Sequence, residues 1–197
     1  MLSEEQADRR WRIRTCGRDT QAEDAHHLPY EPTPYAVLDR IAESGFIGRD
    51  NLLVDYGCGR GRVSLMLSHL TGCRSLGIDF NPSLLTAAEE NRASFAGSAD
   101  ALFLLRDAER FDPPADADRF YFFNPFSPEI LRSVLNRIAG SWYASPRPMR
   151  LLFYYPSDEY VRLLMQSEMF SPDGEIGCGD LFPGDGRERV LVFRVDG

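Results

Sequence analysis

From residue 28 onward, continuous apolar runs alternate with stretches of helical spacing, and the two periods mark strands and helices. The segment NLLVDY (51–56) reads as a buried strand. Similar runs occur in CRSLGIDF (73–80), ALFLLRDA (101–108), the aromatic-rich DRFYFFNPF (118–126) and MRLLFYYP (149–156). Helical stretches lie between them. A short one enters through Pro34, carries Val37, Leu38 and Ile41 on one face, and stops near Gly45. GRVSLMLSHLTG ends at Gly72, and PSLLTAAEENRASF has Pro82 in its first turn. SPEILRSVLNRIAG places Ser127 as N-cap before Pro128, and SDEYVRLLMQS is capped by Ser157. Two weaker strands, around GEIGC (174–178) and RERVLVFRV (187–195), follow with only the turn-rich DLFPGDGR between them. They are expected to form a hairpin, so that one late strand runs antiparallel. The alternation elsewhere predicts a mostly parallel α/β sheet with helices on both faces.

Residues 1–27 break this pattern. They are polar and charged, with the cluster Arg9-Arg10-Trp11-Arg12-Ile13-Arg14. They read as a flexible N-terminal arm, either a loose or weakly helical terminus or a segment that covers a site or meets a partner. Residues 28–197 read as a single domain, with no internal repeat or linker.

Composition narrows the class. The 197 residues suffice for one domain with a sizeable core, and 43% hydrophobic with 26% charged residues is a globular balance. The net charge of -8 argues against a dedicated nucleic-acid binder, which needs a basic footprint. Every basic residue is arginine, so no lysine serves as base, Schiff-base former or phosphate hook. Cys16, Cys58, Cys73 and Cys178 are far apart and form no C-x-x-C pair, so neither zinc nor a disulfide framework is expected. A reduced, cytoplasmic protein fits best. No apolar stretch is long enough for a membrane span, and the first residues lack the apolar core of a signal peptide.

The chemistry concentrates in Leu52-Leu53-Val54-Asp55-Tyr56-Gly57-Cys58-Gly59-Arg60-Gly61-Arg62-Val63. A buried strand stops at an acid, and glycines follow at every second position. Glycine costs backbone entropy, and a turn alone needs one or two. Gly57, Gly59 and Gly61 together point to a ligand that lies against bare backbone. A dinucleotide site wants G-x-G-x-x-G, but the spacing here is G-x-G-x-G and position 62 is Arg. Asp55 would also repel a pyrophosphate. A carboxylate there suits a ligand carrying positive charge, an amine or a sulfonium. Asp79 closes the second strand roughly 20 residues on, where an acid accepts ribose hydroxyls. Asp107 follows the third strand, placed to accept from an adenine amino group while Ala108 offers its N–H. Each acid alone also reads as a helix cap or loop acid. Their repetition at successive strand ends is the stronger signal.

With these residues in place, the chain resembles the class I S-adenosylmethionine-dependent methyltransferases, and among them small bacterial ones carrying "PTPY … DYGCGRGRVS … FFNPFS". The likeness covers about residues 28–197. It implies a Rossmann-like, seven-stranded, mostly parallel sheet with one antiparallel strand, and S-adenosyl-L-methionine as cofactor. By this resemblance Asp55 and Gly57 hold the methionine moiety, with Gly59 and Gly61 in the same loop. Asp79 and the adjacent Phe80 meet the ribose side, and Asp107 with Ala108 selects adenine. The segment with Tyr30, Thr33 and Tyr35 folds over the methionine end, where a ring helps a sulfonium by about 1 kcal/mol. Tyr35 reads equally as a packing residue of the first helix.

The fourth strand ends in Asn124-Pro125-Phe126, expected to face the methyl group. Methyl transfer needs alignment and exclusion of water, and a nitrogen nucleophile needs fixed acceptors that aim its lone pair. Asn124 offers a side-chain carbonyl, Pro125 biases it toward extended backbone, and Phe126 offers a ring to a planar substrate. The trio resembles the Asn-Pro-Pro-aromatic motif of amino methyltransferases with one proline missing, and it reads alternatively as a plain turn. Tyr154 and Tyr155 are candidate pocket walls or half-buried sheet aromatics. His26 and His27 are candidate bases in the arm, and His69 reads as structural. The expected function is methyl transfer to a nitrogen or oxygen nucleophile of a small molecule or protein. The alternatives are a cofactor-binding module of the same fold without transfer, a nucleic-acid amino methyltransferase, and, disfavoured by Asp55 and Arg62, a nicotinamide-dependent oxidoreductase.

Overall fold

Why the apolar runs are continuous is answered by the sheet they build. In the computed structural model, which describes residues 2–17 and 30–196, β1 (Leu52–Tyr56) is buried along its whole length. It pairs in parallel with β2 (Arg74–Asp79) on one side and β4 (Arg119–Phe122) on the other. β3 (Asp100–Leu105) lies beyond β2, and β5 (Arg150–Tyr154) beyond β4, all parallel. β7 (Arg189–Val195) then runs antiparallel against β5, and β6 (Phe170–Gly177) antiparallel against β7. The seven strands stand in the order β3-β2-β1-β4-β5-β7-β6. The hairpin and the single antiparallel strand are as expected.

Helices cover both faces, so the central strands β1, β4 and β5 bury side chains on both sides, while the edge strands β3 and β6 leave residues exposed. One face packs Leu53, Tyr121 and Leu152 with α2 (Tyr35–Glu43) and α3 (Arg62–Thr71). The other packs Val54, Phe120, Phe122 and Phe153 with α5 (Pro128–Ala144) and α6 (Asp158–Met165). There Tyr56, Phe122 and Phe153 stack in succession across the sheet, at 5.0 and 4.6 Å between ring centroids. α4 (Pro82–Ser94) starts from Asn81, whose side chain accepts from Ser83 and Leu84. Ser157 caps α6 as expected, accepting from the Tyr160 amide at 3.2 Å. Ser127 stands at the N-cap of α5, but its hydroxyl makes no capping bond and is buried without a partner. Among the described residues no helix is long and apolar enough to cross a membrane.

The stretch expected to be a loose arm contains a docked element. α1 (Glu4–Trp11) is closed by a capping box between Ser3 and Gln6. It carries Ala7 and Asp8 into the interior, and Ile13 and Thr15 follow, buried as well. His26 and His27 lie outside the described residues.

Candidate active site

At the carboxyl ends of β1, β2, β4 and β5 opens a cavity of about 510 Å³. Ligands of open parallel sheets bind at this edge, where the crossovers on either side of β1 diverge. The glycine loop forms its floor. Gly57, Gly59 and Gly61 have φ of 75°, 53° and 84°, left-handed values that favour glycine. Close packing adds a second demand at all three, a Cβ on Gly61 standing 2.6 Å from the ring of Phe103. A Cβ on Gly57 would stand 2.5 Å from Pro125 Cβ, and one on Gly59 2.3 Å from the ring of Tyr30. The loop is pinned to β2: the Gly57 and Cys58 amides both donate to the Ile78 carbonyl, at 2.9 and 3.0 Å.

The two strand-end acids differ in their surroundings. Asp79 accepts from the Gly59 amide through one oxygen and from the Asn81 amide through the other, both at 2.9 Å. It thereby fixes the loop. Asp55 is 2% exposed and accepts from Ser64 Oγ at 2.8 Å. Burial, opposed by the Ser64 bonds and reinforced by the charge of Asp79, pushes its carboxyl up to about 7. Asp107 sits on the rim. It accepts from the Glu109 amide at 2.9 Å, and Arg110 stands 3.6 Å away. Ala108 and the 41%-exposed Phe80 line the same end of the cavity.

One side of this floor is held by Arg62, the first residue of α3. A cation at a helix N-terminus is unfavourable, and a buried one needs partners. The guanidinium is 2% exposed and is surrounded by acceptors from three segments. It donates to Glu4, to Asp8 at 3.3 Å, to Thr15 Oγ1 at 2.6 Å and to the Thr33 carbonyl at 3.0 Å. Tyr35 lies beneath it, with its hydroxyl donating to Asp8 at 2.6 Å. Thr33 Oγ1 meets the Tyr121 hydroxyl at 2.8 Å. Tyr30 covers Gly59 and donates to the Thr15 carbonyl at 2.6 Å, and its other neighbour is the Arg60 guanidinium, 4.9 Å from the ring centroid.

Opposite lie the ends of β4 and β5. Asn124 and Tyr155 both have positive φ, 41° and 49°. The Asn124 amide nitrogen donates to the Tyr155 carbonyl at 2.6 Å, and its oxygen accepts from the Ser157 amide at 3.2 Å. Tyr154 donates to Glu188 at 2.7 Å, and Tyr155 to Asp185 at 2.6 Å.

Comparison with known proteins agrees with this geometry. Residues 53–141 match a protein family described as a methyltransferase domain. The chain superposes on a TehB-like SAM-dependent methyltransferase from Corynebacterium glutamicum, with a TM-score of 0.60, 19% identity, and 81% of this chain and 88% of that one covered. It superposes likewise on an RNA methyltransferase from Salinibacter ruber in complex with S-adenosyl-L-homocysteine, with a TM-score of 0.51, 20% identity, and 84% and 92% covered. The fold is that of the class I methyltransferases. In sequence, a protein-lysine N-methyltransferase from Saccharolobus islandicus is 30% identical over 66 residues. That match spans 33% of this chain and 41% of the relative's length.

On this methyltransferase fold the expected cofactor residues gather around one space. Thr33, Asp55, Gly57, Asp79, Phe80, Asp107, Ala108 and Asn124 all line the cavity. Gly59 and Gly61 shape its floor from behind, and Tyr35 is outside the lining, occupied with Asp8 and Arg62. The Asn124-Pro125-Phe126 turn reaches the cavity in a form the motif does not show. Asn124 is left-handed where extended backbone was expected, and in this conformation its amide bridges β4 to the chain after β5. Phe126 is 4% exposed and packs edge-on against Phe122, as a core residue more than a stacking platform. Arg62 was read from sequence only as a departure from the dinucleotide spacing. The signal was present: a cation at the buried start of a helix demands acids from elsewhere.

Proposed function

We propose that this chain is an S-adenosylmethionine-dependent methyltransferase, acting on a nitrogen or oxygen nucleophile of a small molecule or protein. The observation that carries this reading is the pair of buried acids, Asp55 and Asp79, beside the glycine turn from Gly57 to Gly61. Such a site suits a ligand with a cationic end, vicinal hydroxyls and a flat base. Asp55 would hold the methionine ammonium, Asp79 the ribose hydroxyls, and Asp107 with Ala108 the adenine, beside Phe80. When bound, the cofactor supplies an electrophilic methyl group on a sulfonium.

The chain's own residues supply position and dryness. Tyr30 and Thr33 close one wall, and the Asn124–Tyr155 brace fixes the other. Charge disfavours nucleic acid as acceptor, because the protein is net acidic and Arg62 is consumed internally. Four free cysteines fit the cytoplasmic setting that is part of this reading.

A second reading, a cofactor-binding module without transfer, draws on Asn124. Its carbonyl already accepts from Ser157, so the group expected to aim a nucleophile is engaged. Calorimetric titration with S-adenosylmethionine, S-adenosylhomocysteine and NAD tests the common core. Binding of the two sulfur compounds without NAD is expected; binding of NAD alone would end this assignment.

A further inference from the structure

The proposed cofactor residues account for the cavity above β1, β2 and β3 and, apart from Asn124, leave the half above β4 and β5 unassigned. That half is walled by Tyr121, Phe123, Tyr154, Tyr155, Phe182 and Glu188. We propose that it receives the acceptor as an organic cation, a protonated alkylamine seated among the rings with Glu188 as counter-ion. This deepens the methyltransferase reading and rests on it.

Ring geometry comes first. Phe123 and Tyr154 lie 4.6 Å apart at 53°, and Tyr154 and Tyr155 6.2 Å apart at 54°. Tilted rings turn faces as well as edges toward a shared space, and faces attract cations. Tyr155 already demonstrates this with the Arg187 guanidinium, 4.3 Å from its ring centroid. Arg187 is not part of the lining and has Asp185 beside it at 4.0 Å.

Charge comes second. Glu188 reaches this space because β7 runs antiparallel, which sets its start against the end of β5. Its backbone is held at both ends, the amide on the Asp185 carbonyl at 3.3 Å and the carbonyl by the Cys178 amide at 2.9 Å. The Tyr154 hydroxyl takes one acceptor site of a carboxylate that offers about four. The cavity's basic residues are elsewhere. Arg62 is held by Glu4 and Asp8, and Arg106 follows β3 at the far end. The other acid on this side is Glu31. A carboxylate acceptor would therefore be repelled, an alcohol would gain neither charge nor ring contact, and an ammonium gains both.

Glu188 also solves a chemical difficulty. An ammonium has no lone pair and must lose a proton before it reacts. The proton passes to the Glu188 carboxylate, and the freed nitrogen pair forms the new bond to the methyl carbon. The old carbon–sulfur bond breaks with its electrons left on sulfur. The N-methylammonium product carries the charge that the sulfonium gave up, and Glu188 returns its proton to solvent.

The test is calorimetry on the full chain saturated with S-adenosylhomocysteine. The probes are n-butylammonium, Nα-acetyl-lysine amide, 1-butanol and butyrate. Both cations are expected to bind at least tenfold more tightly than the alcohol and butyrate more weakly still. Glu188→Gln, which keeps an acceptor for Tyr154, should erase the preference while affinity for S-adenosylhomocysteine stays unchanged. Tighter binding of the lysine amide than of butylammonium identifies a polypeptide side chain as the source, and the reverse a free amine. Equal or tighter binding of butanol or butyrate, silence from both cations, or a preference that survives Glu188→Gln overturns the amine assignment and leaves the cofactor reading standing. Failure of S-adenosylhomocysteine itself to bind overturns both.

Discussion

The Arg62 guanidinium donates to the Asp8 carboxylate at 3.3 Å, joining residues 54 positions apart. Both side chains are buried, at 2% and 8% exposure. An ion pair of this kind costs desolvation to form, but removing Asp8 leaves Arg62 with Glu4 as its carboxylate partner and strands the donors of Thr15, Cys16 and Tyr35. Asp8→Ala should therefore destabilise the protein by roughly 3–5 kcal/mol, lowering Tm by about 10 °C. Affinity for S-adenosylmethionine should fall with it, because the same guanidinium holds Thr15 and Thr33 over the glycine loop. Burial raises the Asp8 carboxyl, but donors from Tyr35, Thr15 and Cys16 outweigh it and hold it below its ordinary value. This part of the stability is present above the ordinary carboxylate range and is lost as pH falls through the lowered value. Thermal melts of the wild type and Asp8→Ala across acid pH check both claims; parallel pH profiles would contradict the second.

Asp79→Ala removes the acceptor for Gly59 and for the proposed ribose hydroxyls. Bonds to a charged group are worth about 1.5–3 kcal/mol each, so S-adenosylmethionine affinity should drop at least a hundredfold. Unchanged affinity by calorimetry would remove Asp79 from the site.

Asp55 makes a pH signature. Its carboxyl sits near 7 in the free protein, and a cationic ligand favours the ionised form. Affinity for the cofactor should rise up to tenfold per unit as pH approaches 7 from below and level off above it. Stability of the free protein should move the other way. A carboxyl raised on folding contributes fully below its ordinary value, and the contribution declines as pH rises toward 7. Asp55→Asn should flatten both profiles, in titrations and in melts respectively.

Gly59→Ala adds a Cβ 2.3 Å from the Tyr30 ring at a residue with φ of 53°. Clash and backbone strain act together, and cofactor affinity should fall at least tenfold. Tyr30→Ala in the same chain relieves the clash and leaves the strain, so a partial recovery of Tm is expected. Full recovery would show that backbone strain contributes nothing.

Asn124→Ala removes the brace between the ends of β4 and β5, whereas Asn124→Gly removes the brace but tolerates the positive φ. Both should slow methyl transfer at least tenfold, with Ala the less stable of the two in thermal melts. An unaltered rate with bound cofactor would favour the binding-module reading.

The sheet and its helices were legible because each element announces itself locally. β1 to β5 are short apolar runs, and Pro82, Gly72 and Ser157 mark helix ends where they stand. The three acids were legible for a related reason, since strand ends are where this architecture presents side chains. What escaped was non-local and polar. α1 is polar overall and is anchored through Asp8 to an arginine on another helix, so no window of sequence contains the cause of its docking. Asn124 shows the opposite limit. Its type suggested chemistry, but its torsion and its two backbone partners depend on how β5 ends, which residues 118–126 do not encode.

The cavity's two halves draw mainly on different stretches of chain, with the end of β4 serving both. Asp55, Asp79 and Asp107 belong to the first three strands, whereas Tyr154, Tyr155 and Glu188 come from the last part, with β7 threaded between β5 and β6. On the proposed reading, grip on the methyl donor and choice of recipient rest largely on different stretches. On that reading, mutational drift in the segment from residue 155 to 190 would alter the recipient's walls without touching the donor acids, and the glycine loop is silent about the recipient.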